Sequence, residues 1–186
     1  MQEKLAKIKM LAMDVDGTLT DGAMIFYNTE QVKSFNVYDG LGIRLAINCG
    51  LGIAWITGNA STAVTERARV LGVEDVYEGS RSKSAALNNL ASRHNLSLEE
   101  IAYIGDDLND LPAFERAGFC FAVSNAADEL KRRADMVTRR AGGHGAVREA
   151  IEAILKAKGQ WEDALLCFLD ELEREEAGKK GPEAVA

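Results

Sequence analysis

A chain of 186 residues is long enough to bury one full core and short for two. Its 47% hydrophobic and 27% charged residues mark a globular protein, and no apolar run reaches the ~18 residues that a membrane-spanning helix needs. The formal charge of −7 argues against a nucleic-acid partner, because binding a phosphate backbone needs a basic face. The opening MQEKLAKIKM lacks the apolar stretch of a secretory signal, so the cytoplasm is the expected compartment. Cys49, Cys120 and Cys167 are odd in number, far apart and without a CxxC pair, which indicates neither a disulfide framework nor a zinc site; they are expected as reduced core thiols.

In chain order, residues 8–13 (IKMLAM) predict a first strand that ends at Asp14 and Asp16. Residues 23–37 break the pattern with two strand-like runs around Asn28-Thr29-Glu30, a hairpin signal. A helix follows over 40–49, a strand over 52–57, a helix over 61–71 closed by Gly72, a short strand over 74–77 and a helix over 82–95. Ser97-Leu98-Glu99-Glu100 fits a capping box before a strand at 101–105. Helices at 109–117, 125–133 and 145–157 alternate with strands at 119–123 and 135–138. Apolar runs without alternation suit strands covered on both faces, so the prediction is a doubly wound α/β domain with a parallel sheet. Trp161, Leu165, Phe168, Leu169 and Leu172 recur at helical spacing and predict a C-terminal amphipathic helix with an acidic opposite face. Residues 160–186 carry eight acids against three bases, and the last of them, EREEAGKKGPEAVA, read as a polar tail. The expected organisation is a domain over 1–158 followed by helix and tail over 159–186.

The chemistry lies at strand ends. Asp14 and Asp16 are two apart and face a common side, Thr57-Gly58-Asn59 end another strand, and Asp106, Asp107 and Asp110 follow a third. In a parallel sheet these ends converge, and two carboxylates about 4 Å apart repel by roughly 4 kcal/mol at an effective dielectric near 20. An oxygen-only cluster without histidine or cysteine suits Mg²⁺ and disfavours zinc and copper. Lys83 and the Thr57 hydroxyl would supply donors for phosphoryl oxygens, and phosphoryl transfer is mostly positioning and charge stabilisation. A carboxylate can serve as nucleophile to form an aspartyl-phosphate, with a second carboxylate as general acid and base.

DVDGTLTDG, ITGN, Lys83 and GDDLNDLP together resemble the four ordered motifs of the haloacid dehalogenase superfamily. VKSFNVYDGLGIRL, ERARVLGVEDVYEG, AYIGDDLNDLPAFERAGF and GGHGAVREAIEAIL are similar, more narrowly, to the 3-deoxy-D-manno-octulosonate 8-phosphate phosphatases of lipopolysaccharide biosynthesis. The resemblance implies a Rossmann-like sheet with residues 23–37 as a small hairpin cap. It makes Asp14 the nucleophile and Asp16 the acid and base, with Thr57 and Lys83 on the phosphoryl group. Asp14, the carbonyl of Asp16, and Asp106 would hold Mg²⁺, with Asp107 and Asp110 supporting the metal or Lys83. Gly58, Asn59, Lys33 and Asp39 are the expected contacts to a phosphorylated sugar acid, and no membrane partner is expected. Family members are tetramers whose hairpins reach neighbouring sites, so the resemblance implies a homotetramer.

The sequence departs from that family at Asn59, where an ITGR motif is common, and at Tyr38, where R-D-G is common. Losing two guanidiniums removes bidentate donors suited to a sugar-acid carboxylate. A nonulosonate 9-phosphate or another small phosphate ester is therefore an alternative substrate, and a non-catalytic oligomerisation domain of the same fold is an alternative of a different kind. Lys33, Arg67 and Arg81 are the remaining cations for a carboxylate. GGHG around His144 reads as a glycine-rich turn into a helix.

Overall fold

The computed structural model describes residues 1–28 and 30–179. Six strands form one parallel sheet in the order β5-β4-β1-β6-β7-β8: β1 Met10–Met13, β4 Gly52–Ile56, β5 Asp75–Tyr77, β6 Ile101–Gly105, β7 Phe119–Ala122 and β8 Met136–Val137. The uninterrupted apolar runs read as buried strands are buried: Leu11, Met13, Trp55, Ile56, Tyr103, Phe119 and Phe121 are all fully enclosed. From central β1 the chain winds outward through β4 and β5, then crosses to β6 and winds the other way. The carboxyl ends of β1 and β6 therefore flank the switch point, where open α/β sheets hold ligands.

The helices are α1 Gln2–Ala6, α2 Val37–Asn48, α3 Thr62–Leu71, α4 Lys83–Arg93, α5 Leu111–Phe114, α6 Asp128–Lys131, α7 Ala146–Ala157 and α8 Trp161–Lys179. α1 and α2 pack along α7, α8 lies on α2 and α7, and α4 packs on α5. No helix among the described residues is long and apolar enough to cross a membrane. The predicted hairpin is a separate two-stranded antiparallel sheet, β2 Ile25–Tyr27 and β3 Glu30–Val32, with Ile25 opposite Val32 and Tyr27 opposite Glu30. In its turn Asn28 takes φ 54°, while Thr29 lies outside the described residues.

Several boundaries differ from the sequence expectation. α2 starts at Val37 because the Asn36 side chain accepts the Tyr38 N–H at 2.8 Å, a cap invisible to apolar periodicity. The helix expected over 109–117 splits into a 3-10 turn at Leu108–Asp110 and the short α5, with Pro112 in its first turn. Helix 125–133 contracts to α6, and α1, which buries Leu5, was not expected. Gly72 closes α3 at φ 77°, as predicted. In α8, Trp161 and Ala164 face the body, with the Arg148 guanidinium 5.2 Å from the Trp161 ring centre. Leu169 and Leu172 do not continue that face and stand exposed, and residues 180–186 of the polar tail lie outside the described residues. Of the cysteines only Cys120 is a core thiol, donating to the Phe114 carbonyl at 3.3 Å; Cys49 is half-buried and Cys167 exposed.

Candidate active site

The first strand's ladder continues one residue beyond β1, where the Asp14 N–H donates to the Ile104 carbonyl at 3.0 Å. The chain then wraps around a single carbonyl, that of Val15, which accepts from Thr18, Leu19 and Thr20 at 3.3, 2.9 and 3.0 Å. This turn needs Gly17: its φ is 96°, and a Cβ there would fall 2.1 Å from the Asp106 carboxylate. β1 and β6 thus press two acidic loops against each other, and the Thr18 hydroxyl donates to Asp106 at 3.2 Å.

Lys83, the first residue of α4, reaches into the same space with its side chain 2% exposed. Its ammonium lies 2.6 Å from both Asp14 and Asp110. Asp110 is fully buried and saturated, accepting also from the Tyr103 hydroxyl at 2.8 Å and from the Asp106 and Asp107 N–H groups at 2.9 and 3.2 Å. It is the anchor that aims Lys83. Burial works against the Lys83 charge, yet Asp14 and Asp110 hold its pKa above the ordinary value. Burial and the nearby Asp110 push Asp14 well above the carboxylate range despite Lys83, and burial and Asp110 likewise push Asp106 up to about 6. One lysine does not neutralise two buried acids and a half-buried third.

A divalent cation fits that deficit. Asp14, Asp106 and Asp110 each offer an oxygen within 4.8 Å of the others, the donor set is all oxygen, and a glycine keeps the Asp106 side open. Thr57 is buried at the end of β4, its hydroxyl accepting the Asn59 N–H at 3.2 Å, and Gly58 and Asn59 are exposed beside it.

Other expected residues sit elsewhere. The Asp16 side chain is paired by the Lys33 ammonium, whose chain is 1% exposed as it descends from β3, so Lys33 is engaged with a protein carboxylate where a substrate contact was expected. Asp39 is buried in the body and accepts the Gly145 and Arg148 N–H groups at 3.1 and 2.7 Å; it fastens α2 to the start of α7 and is not exposed to a ligand. Asp107 is exposed and caps its own turn through the Leu108 N–H at 2.8 Å, outside the metal-sized cluster. Tyr38 is 59% exposed beneath the Arg140 guanidinium, and Arg67 packs against Gly40 of α2.

Tyr103 and Thr18 were missed, the first because it reads as an ordinary strand residue. The GGHG turn is also part of the frame: a Cβ on Gly142 would fall 1.7 Å from the Gly17 carbonyl, and one on Gly143 2.4 Å from the Asp21 nitrogen. The adjacent glycines were the signal that a backbone passes there.

Residues 71–151 match the family model of haloacid dehalogenase-like hydrolases. The 3-deoxy-D-manno-octulosonate 8-phosphate phosphatase of Escherichia coli K12 is 42% identical over 162 residues, 87% of this chain and 86% of that protein. A crystal structure of the Moraxella catarrhalis phosphatase of that name, in complex with magnesium, phosphate and the sugar acid, superposes with TM-score 0.87 at 40% identity, covering 90% of this chain and 97% of that one. The Yersinia pestis phosphatase gives TM-score 0.85 at 40% identity over 87% and 88% of the two chains. On identity sustained across this length, and on the acid-and-lysine cluster at the sheet's switch point, the chain belongs to the 3-deoxy-D-manno-octulosonate 8-phosphate phosphatases of the haloacid dehalogenase superfamily.

Proposed function

We propose that the chain hydrolyses 3-deoxy-D-manno-octulosonate 8-phosphate to the free sugar acid and phosphate, with Mg²⁺ as cofactor. The observation that carries this reading is Lys83 held 2.6 Å from both Asp14 and Asp110 at the carboxyl end of the sheet, with Asp106 alongside. The relatives' names supply the substrate.

Asp14, the Asp16 carbonyl and Asp106 would hold the cation, which supplies charge neutralisation for the carboxylates and the phosphoryl oxygens. Asp14 attacks phosphorus; the sugar oxygen leaves with a proton from the Asp16 carboxyl. Asp16, now a carboxylate, takes a proton from water as that water attacks the aspartyl-phosphate, and Asp14 is regenerated. Lys83 and Thr57 hold the phosphoryl oxygens, while Lys33 fixes the Asp16 side chain. Asp110 acts through Lys83, and Gly58 and Asn59 border the leaving sugar.

The test is phosphate release with Mg²⁺ from the octulosonate ester, a nonulosonate 9-phosphate and simple sugar phosphates, with Asp14→Asn as blank. Preference for the octulosonate ester is the expected result, and preference for another ester would move the substrate while keeping the chemistry. Absence of Asp14-dependent release would remove the enzymatic reading. Residues 1–158 are read as the phosphatase unit and 159–186 as an added helix and tail, since every residue of the cluster precedes them. A homotetramer built through the hairpin is part of the same proposal, supported by Met24, Ile25, Phe26 and Tyr27, which are all more than half exposed. The cytoplasm is the compartment this reading assigns.

A further inference from the structure

An octulosonate 8-phosphate carries its phosphate on C8 and its carboxylate on C1, at opposite ends of the carbon chain, so its recognition calls for a cation away from the phosphoryl site. Asp16 protonates the leaving oxygen in the mechanism above, which puts the sugar on the Asp16 side. That side is bordered by the foot of the hairpin. Lys33 pairs with Asp16, and three residues on, Asn36 donates to the Gly143 carbonyl at 3.1 Å and accepts the Tyr38 N–H at 2.8 Å. The 138–145 loop completes this rim, with the Gly143 N–H donating to the Thr18 carbonyl at 2.9 Å. Here Tyr38 is 59% exposed, and the Arg140 guanidinium lies over its ring, 5.9 Å from the ring centre.

The Arg140 backbone is fixed, because its carbonyl accepts the Thr138 hydroxyl at 2.6 Å and the Ser124 N–H at 3.2 Å. Gly145 bounds the side chain on one flank, where a Cβ would fall 2.7 Å from an Arg140 nitrogen. Neighbouring Arg139 and Arg148 pair with Glu149 and Glu152 at 3.2 and 2.8 Å, whereas exposed Arg140 has no carboxylate within salt-bridge distance among the described residues. A guanidinium resting on an aromatic ring is steadied by the ring face while its N–H groups stay available to a carboxylate. The other cations are worse placed. Lys33 is taken by Asp16, and Arg67 packs against Gly40. Arg81 is exposed, and among the described residues no hydrogen bond or ion pair holds its guanidinium.

Resting on that substrate reading, we propose that Arg140, steadied by Tyr38, binds the C1 carboxylate of the sugar acid and sets the preference for carboxylated over plain phosphate esters. The contact is bidentate in kind, a guanidinium fork on a carboxylate, and it forms without displacing a protein partner. Tyr38 acts through Arg140 as a positioning residue, so the pair replaces by stacking what a buried ion pair would supply elsewhere.

The experiment compares the octulosonate ester with p-nitrophenyl phosphate, which has no carboxylate, using full-length wild type, Arg140→Met, Arg140→Lys, Tyr38→Leu and Arg81→Met with Mg²⁺. Arg140→Met should lower the ratio of kcat/KM on the two esters by roughly 10–100-fold, the scale of one charge-assisted contact. The loss should fall chiefly on KM, because a contact remote from the reacting bond holds ground and transition states alike. Arg140→Lys should recover part of the ratio, and Tyr38→Leu should lower it by roughly 2–5-fold through the lost ring face. The free sugar acid should inhibit Arg140→Met more weakly than wild type by a similar factor. Equal loss on both esters would assign Arg140 to the fold or the phosphoryl site, and a ratio that falls in Arg81→Met and not in Arg140→Met would give the carboxylate to Arg81; either overturns the proposal. A wild type without preference for the octulosonate ester would overturn the substrate reading and this proposal together.

Discussion

Lys83 is a single residue on which binding and stability both depend. Its ammonium is the only cation among the described residues within salt-bridge distance of Asp14 and Asp110, and all three side chains are at most 5% exposed. Lys83→Met leaves buried Asp14 and Asp110 without their countercharge, and breaking a buried pair from one side costs about 3–5 kcal/mol. Urea unfolding should show that loss, and phosphate release should fall by roughly a thousandfold, the scale of losing one donor to a developing oxyanion. Lys33→Met should behave differently. Its partner Asp16 is 31% exposed and water can solvate it, so turnover should fall while the urea midpoint moves less than in Lys83→Met. The sequence made Asp14, Asp106 and Lys83 legible because motif order and strand ends place them without coordinates. It did not reveal that Lys33 turns onto Asp16 or that Asp39 is a buried fastener, because both depend on where a side chain points after the chain has folded.

At the level of elements, the parallel strands were readable because a strand covered on both faces has no choice but a continuous apolar run. Short helices were not. α5 is cut short by the Asp106 N–H donating to the Asp110 side chain and by Pro112, neither of which disturbs apolar spacing. The contact between the loop after β1 and the 142–145 turn belongs to this scale as well. Gly143 has φ 68° and no room for a Cβ, so Gly143→Ala must displace the loop that carries Asp16. Turnover should drop by roughly 10–100-fold with the substrate KM less affected, since small misplacements act on the reacting geometry. A kinetic profile unchanged from wild type would mean the turn is a spacer without influence on the site. The hairpin invites a second test: Phe26→Asp places a charge on a surface that is 63% exposed in the single chain. Light scattering should show a smaller particle than wild type if that surface joins subunits, and an unchanged mass would remove the hairpin from the interface.

For the whole molecule, the acid cluster links folding to pH and to the cation. Asp14 is raised well above its ordinary value and Asp106 to about 6, so the folded state binds these protons more tightly than the unfolded chain does. Their contribution to stability is therefore present below the unfolded carboxylate pKa and is lost as pH rises through about 6. Lys83, raised from an already high value, keeps its charge throughout that window. Half-buried Glu100 works oppositely: lowered to about 2 by Lys9 and Ser97, it adds stability at neutral pH that is lost progressively as pH falls toward about 2. In metal-free protein the cluster's share of stability should thus decline between about pH 4 and pH 7. Mg²⁺ binds the ionised carboxylates, so its stabilisation should grow over the same interval, following the mass-action rule for a ligand of the native state. Melting curves with and without saturating Mg²⁺ at about pH 5 and about pH 7.5 should show the larger gain at the higher pH. Asp106→Asn should reduce that gain and flatten its pH dependence, because the variant has lost one of the protons that the cation must displace. A gain equal at both pH values in the wild type would separate cation binding from these carboxylates and place it elsewhere on the protein.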